Sequence, residues 1–447
     1  LRPVWDVKVT LVSTCALAGT VALALVLVTL RAVPGMPLFD ALKAPASGHS
    51  LPLNVQPVWE RGGRARGHAF FIPVTAGHGE RARWTMVDSR SSMLALCEKD
   101  AFAPMHFPRV ASDGGHAVVH CVTNGGFWGY AHRMPVSVPT VTGVSRTLTR
   151  DSVVTLMQEH ADAPCAADGV TVGGGITADG IFGIAGSRMN AYVENLPGRP
   201  PRSIGACARQ EGGASFAATP MRDVVGDNLS TKQMAIHWSG RVGPGAGQMF
   251  FGDAATSNQF YDAAKAVGPV GLHTAGYFNI NVTGFDLIDG AKGTIFSAPF
   301  AAAVDGGVGN AYMDPGSAVL SLPPEVFAAL EQHAADTFDA GATLGVRASG
   351  LRGEQSRLSF PVSKLLELYH AGLVRQAPEA TFVFGAAGWL FFKLVVFDLE
   401  GSVASFVPRS AGDIVIPPMQ RDVPAAPRPR ADVALSLDEL GVSVTDY

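Results

Sequence analysis

Two distant stretches of the chain share one plan. Trp84-Thr-Met-Val-Asp88-Ser-Arg-Ser-Ser-Met-Leu-Ala-Leu96 and Ala311-Tyr-Met-Asp314-Pro-Gly-Ser-Ala-Val-Leu-Ser-Leu322 each run from an apolar strand through an aspartate and a serine into a second apolar run. The two aspartates lie 226 residues apart. A duplicated strand–Asp–turn–strand unit implies two related lobes, each giving one carboxylate to a shared cleft. Paired carboxylates sharing one proton can activate water against an amide, one accepting the water proton while the other donates to the carbonyl. The alternative is two turn aspartates, each capping its own loop, and on spacing alone that alternative is the stronger.

The elements that must position these residues are short and apolar. The 447 residues exceed what one hydrophobic core usually serves, so two lobes are the default. Hydrophobic residues make up 47% and charged residues 16%, which suits a globular body. The 51 glycines and 30 prolines point to many turns between short strands. A formal net charge of −4 argues against nucleic acid as a partner. His68-Ala-Phe-Phe-Ile-Pro-Val-Thr75 and Arg83 to Asp88 read as strands. Residues 151–160 and 323–335 carry helix-like spacing, and Pro323-Pro-Glu-Val-Phe327 makes a good helix start.

The ends of the chain differ from this body. Val9 to Leu30 is an uncharged run of 22 residues, long enough to span a bilayer core of about 20 helical residues. It is longer than the apolar region of a cleaved leader and is read as a retained membrane anchor, residues 1–31. Residues 32–66 read as a linker, with a short strand near Val58-Trp59. Residues 410–447 are rich in Pro, Arg and Asp and read as a tail, disordered or laid along a partner. Cys15 lies inside the span and is expected to stay free. Cys97, Cys121, Cys165 and Cys207 can pair evenly, as Cys97–Cys121 and Cys165–Cys207. Asn228-Leu-Ser and Asn281-Val-Thr are glycosylation sequons. Together these features place the body in an oxidising lumen or outside the cell.

Over residues 67–408 the chain resembles the pepsin-like aspartic endopeptidase family. Val87-Asp88-Ser89-Arg90-Ser91-Ser92 is similar to the first Asp-Thr-Gly-Ser-Ser loop, with Phe70 to Gly77 as the strand leading to it. Asp179-Gly-Ile-Phe-Gly-Ile-Ala185 is similar to the segment closing the first lobe, and Gly247-Gln-Met-Phe-Phe-Gly252 to the strand that follows. Met313-Asp314-Pro315-Gly316-Ser317, with Leu322-Pro-Pro-Glu-Val-Phe327, resembles the second Asp-Ser-Gly-Thr loop and its helix. Phe384-Gly385, Val396-Phe-Asp398 and Ser405-Phe-Val-Pro408 resemble the closing segment. The resemblance implies an all-β, two-lobed body, lobes 67–220 and 221–409, with a β-hairpin flap over the cleft. Asp88 and Asp314 would face each other on the cleft floor, and Ser91 and Ser317 would hydrogen-bond their carboxylates. No cofactor and no metal is implied.

Four departures set this sequence apart from the family pattern. Arg90 replaces a glycine that lets the two loops approach, and a cation within about 4–6 Å of a carboxylate lowers its pKa by about 1–3 units. Alternatively, Arg90 points out of the cleft and only distorts its loop. Pro315 replaces a hydroxyl residue of an interlobe grip and supplies neither hydroxyl nor N–H, so Ser89 would lack its partner. In the stretch from His120 to Tyr130, Asn124-Gly-Gly126 suits a hairpin turn; no tyrosine precedes it, and Tyr130 matches the second flap strand. Ala386 stands where the family places an aspartate.

Three other signals carry less. His116 and His120 sit in a strand-like stretch where their spacing does not bring them together for a metal. Gly243-Pro-Gly-Ala-Gly247 lacks the lysine and helix of a phosphate loop. No Gly-x-Ser-x-Gly elbow is present. Two functions follow as expectations. One is a catalytically impaired, membrane-anchored binding or structural subunit of a membrane assembly, with a possible peptide in its cleft. The other is an active endopeptidase working through Asp88 and Asp314.

Overall fold

The chain builds its body from short strands whose side chains alternate between a buried core and its cover. The computed structural model describes residues 49–59, 65–77, 82–89, 91, 93–97, 117–122, 125–139, 145–160, 171–172, 176–185, 191–193, 231–273, 278–301, 310–333, 338–377, 381–417 and 419. Residues 47–447 form one unit, separate from residues 1–46. The architecture is all-β with a few short helices.

The strands that position the site are labelled in chain order. The first half contributes β1 (His49–Trp59), β2 (Ala65–Ala76), β3 (Arg83–Asp88), β4 (Leu94–Cys97), β5 (Ala117–Val122), β6 (Gly125–Pro139), β7 (Ser145–His160) and β8 (Gly180–Gly183). The second half contributes β9 (Gln233–Trp238), β10 (Gly243–Phe251), β11 (Asn279–Asp289), β12 (Ala311–Met313), β13 (Leu320–Leu322), β14 (Phe382–Phe384) and β15 (Phe392–Asp398). Helix α1 (Pro324–Gln332) follows β13, and the single turn α2 (Ala386–Trp389) follows β14.

Strand β1 joins the halves. Its first part pairs antiparallel with β10, from His49 opposite Phe251 to Leu53 opposite Gly247. Its second part pairs with β2, from Asn54 opposite Phe71 to Pro57 opposite His68. Leu51, Leu53 and Val55 alternate along one face and are fully buried. Burying each stabilises the body by about 1.5–3 kcal/mol. The stretch expected to be a linker therefore holds an 11-residue strand at the centre of the molecule.

Each half repeats one three-strand arrangement. In the first, β3 runs parallel to β8, with Val87 opposite Phe182 and Asp88 opposite Gly183; β4 lies antiparallel on the other side of β8, Leu94 opposite Phe182. In the second, β12 runs parallel to β14, with Met313 opposite Phe384; β13 lies antiparallel on its other side, Leu320 opposite Phe384. A central strand ending in Phe-Gly is thus flanked by the strand that delivers the aspartate and the strand that leaves its loop.

Three local expectations meet this fold differently. Residues 151–160 do not form a helix but lie within the 16-residue strand β7. The β-branched run Val153-Val154-Thr155 favours an extended chain, and β7 is paired with β6 along nearly its whole length. The helix start at Pro323 holds, and α1 buries Val326, Ala329 and Leu330 on one face. At the flap position β5 and β6 form a hairpin in which Val122 opposes Gly125. Gly125 and Gly126 thus lie in β6, opposite Val122 and Cys121, and Thr123 and Asn124 lie outside the described residues. The start of the tail packs on the body: Ile414 is buried, and the backbone of Val415 abuts Gly240.

Among the described residues no helix is long and apolar enough to cross a membrane. The run from Val9 to Leu30, with Cys15, lies outside them.

Candidate active site

Both aspartates sit at the C-terminal ends of parallel strands, where the chain must turn sharply. Asp88 ends β3, and the amide of Ile184 donates to its carbonyl at 2.8 Å. Asp314 follows β12, and its own amide donates to the carbonyl of Phe384 at 3.0 Å. The loop that follows each aspartate is pinned by the next strand. The Ala185 amide donates to the Ser91 carbonyl at 2.9 Å, and the Ala386 amide to the Ser317 carbonyl at 2.6 Å.

The loops need glycine at matched places. A Cβ on Gly183 would lie 2.5 Å from the Ser91 carbonyl oxygen. A Cβ on Gly385 would lie 2.7 Å from the Ser317 carbonyl oxygen and 1.9 Å from that of Val319. Neither position has room for a side chain. The signal for these residues was in the sequence, as the repeated Phe-Gly at 182–183 and 384–385, but their structural role was not read from it.

The two carboxylates come together. Both Asp88 and Asp314 are buried, at 9% and 4% exposure. A Cβ on Gly316 would lie 2.9 Å from Oδ1 of Asp88 and 3.2 Å from Oδ1 of Asp314. The two oxygens are therefore no farther apart than the sum of those distances, with a bare glycine backbone beside them. The Gly316 amide donates to Asp314 Oδ1 at 3.0 Å.

The hydroxyls around this pair do not follow the family pattern. Ser89 does find a partner despite Pro315: its Oγ donates to the Met313 carbonyl across the halves at 2.7 Å, with Asp314 Oδ1 at 3.4 Å. Pro315 offers no hydroxyl in return, so the grip is one-sided. The Ser317 hydroxyl donates to the Val319 carbonyl at 3.5 Å, a weak bond to backbone. The Ser91 hydroxyl is fully buried and makes no hydrogen bond among the described residues. Ala386 is fully buried in α2.

Asp179 steadies the first strand, its Oδ2 accepting from the Trp84 amide at 3.0 Å. Cys97 is buried at the end of β4. Cys121 belongs to β5, while Cys165 and Cys207 lie outside the described residues, as do Arg90 and Asn228. Asn281 is exposed on β11, with Thr283 half-buried two residues on. Among the described residues no cluster of three or more His, Cys, Asp or Glu side chains could hold a metal ion.

This is the fold of a pepsin-like aspartic proteinase. The solved structure of the aspartic proteinase from Irpex lacteus superposes with a TM-score of 0.52 at 12% identity, covering 81% of this chain and 98% of that one. No protein-family model matches the sequence. No curated protein matches it either.

Proposed function

We propose that this chain is a membrane-anchored, catalytically impaired relative of the aspartic proteinases, acting as a binding or structural subunit of a membrane assembly. The observation that carries the reading is the state of the serine hydroxyls. An aspartate pair that activates water depends on a fixed hydrogen-bond frame. Here Ser91 is buried without a partner among the described residues, Ser317 turns to a backbone carbonyl, and Pro315 removes one side of the grip. Arg90, one residue before Ser91, adds a permanent charge to the same loop and would favour two ionised carboxylates over a shared proton.

The anchor at residues 9–30 would tether the body, and its cleft would hold a peptide without cutting it. The body would stand in an oxidising lumen or outside the cell. Its four remaining cysteines would be paired there, and Asn281, exposed on its strand, would be open to a glycan.

The rival reading, an active endopeptidase, draws on the closeness of Asp88 and Asp314 beside Gly316. A mixed peptide library incubated with the native protein between acid and neutral pH separates the two. We expect no hydrolysis and no tight binding of a statine-type transition-state mimic, whose hydroxyl needs two carboxylates sharing a proton. Hydrolysis that disappears in Asp88→Asn or Asp314→Asn would establish the rival.

A further inference from the structure

We propose that His68 makes the junction between the two halves an acid-released latch, which holds them together near neutral pH and lets them part as the surroundings acidify. The inference is independent of whether the cleft hydrolyses peptides.

The start of β2 is a wedge driven into the second half. Gly67, at φ 137°, lies so close to the loop after Asp314 that a Cβ there would sit 2.4 Å from the Ala318 carbonyl oxygen. Phe70 packs edge-on against Trp238 of β9 at 5.5 Å and against Trp389 of α2 at 6.1 Å. Between these contacts lies His68, with no exposed surface and its ring 5.5 Å from that of Trp238. Among the described residues neither of its ring nitrogens has a hydrogen-bond partner.

Among the described residues, counting the Asp314 loop that lies against Gly67, burial is the cause that acts on its titration. On β1 it faces Pro57, which does not titrate. On β9 the adjacent His237 points to the opposite face, where its ring stacks on Phe260. Arg409 spends its guanidinium on the backbone carbonyls of Trp238, Ser239 and Phe392. Helix α2 presents Trp389 and carries no ionisable residue. Burial alone therefore acts on the imidazole, and it lowers the pKa from 6.5 to about 3.

The sign follows from linkage. The joined form tolerates only the neutral ring, whereas a parted or unfolded form binds a proton once the pH falls below about 6.5. The joined form carries no protonation penalty above that value, and it weakens relative to the parted form as the pH falls toward about 3. Across that window the equilibrium constant for opening rises by up to about tenfold per pH unit. A polar ring with no partner costs stability at every pH, and a phenylalanine would avoid that cost. Titration is the property an imidazole adds here.

The test follows opening of the full chain by hydrogen exchange and by urea midpoints from pH 7.5 to 4, in the native protein, His68→Leu and His68→Gln. Leucine restores an apolar filling; glutamine stays polar but cannot titrate, and it carries the test if the leucine variant fails to fold. The expected result is acid-dependent loss of protection at the Leu51 and Leu53 amides in the native protein, and a shallower loss in either variant, where His237 still titrates. Parallel pH profiles in native and variant proteins would overturn the proposal, as would uniform loss of protection with no preference for β1. Should neither variant fold, histidine carbon chemical shifts in the native protein decide the matter. A His68 ring still neutral at pH 5 supports the latch, and one titrating near 6.5 sinks it.

Discussion

The hydroxyl of Ser89 donates to the carbonyl of Met313 at 2.7 Å, a bond between residues 224 positions apart that crosses from one half of the molecule to the other. It keeps the two aspartate loops in contact although proline occupies the reciprocal position. Ser89→Ala should therefore leave a buried carbonyl unpaired and cost about 1–3 kcal/mol. Ser317→Ala, which removes only a long bond to Val319, should cost under about 1 kcal/mol. Urea denaturation of both variants checks the order. Equal losses would mean that the crossing bond carries no special weight.

Restoring the family pattern should act on chemistry rather than on fold. Arg90→Gly combined with Pro315→Ser returns a small residue to one loop and a hydroxyl to the other. We expect peptide hydrolysis to appear only in this double variant and to be abolished again by Asp314→Asn. Silence in a folded double variant would shift attention to the flap hairpin of β5 and β6, where no tyrosine precedes the turn.

The glycines of the loops should not be equivalent. At Gly385 an added Cβ meets the backbone oxygen of Val319 at 1.9 Å, and backbone cannot swing aside. Gly385→Ala should cost more than about 3 kcal/mol, beyond the usual range for overpacking. At Gly316 the nearest atoms belong to the Asp88 and Asp314 carboxylates, at 2.9 and 3.2 Å, and these can rotate. Gly316→Ala should cost only about 1–3 kcal/mol. Thermal unfolding of the two variants gives the comparison directly.

His237 offers a second titration, distinct from that of His68. Its ring stacks on Phe260 at 3.5 Å, and burial lowers its pKa to about 4, against a smaller raising effect from the Lys393 carbonyl. Its stabilising contribution is full above about 6.5 and is lost as the pH falls toward 4. Phe260→Ala should expose the ring, raise its pKa toward the ordinary value and flatten the acid dependence of stability between those limits. Histidine carbon chemical shifts followed against pH report it; an unchanged pKa would show that Phe260 is not what keeps water away.

Non-reducing peptide mapping addresses the cysteines. The expected result is Cys97 linked to Cys121 and Cys165 to Cys207, with Cys15 reduced. Recovery of all five as thiols from freshly isolated protein would remove the argument for an oxidising compartment.

What the sequence determined by itself was local and repetitive. Two Asp-x-x-Ser loops, each between apolar runs, and two Phe-Gly strand ends are patterns of type and spacing, and the fold uses both pairs in the same way. The start of α1 was legible too, because proline and apolar spacing act within one turn. Only tertiary structure decided the rest. The helix-like spacing of 151–160 gave way to pairing with β6, since a strand partner outweighs a short, weakly periodic stretch. The stretch 49–59 read as linker because its region is rich in Pro, Gly and Arg with little periodicity, whereas pairing with β2 and β10 buries its apolar side chains and even Asn54 and Gln56. Ser89 was expected to lose its partner with Pro315, yet a backbone carbonyl serves as well as a hydroxyl. No local pattern reveals which carbonyl the packing of two halves will bring within reach.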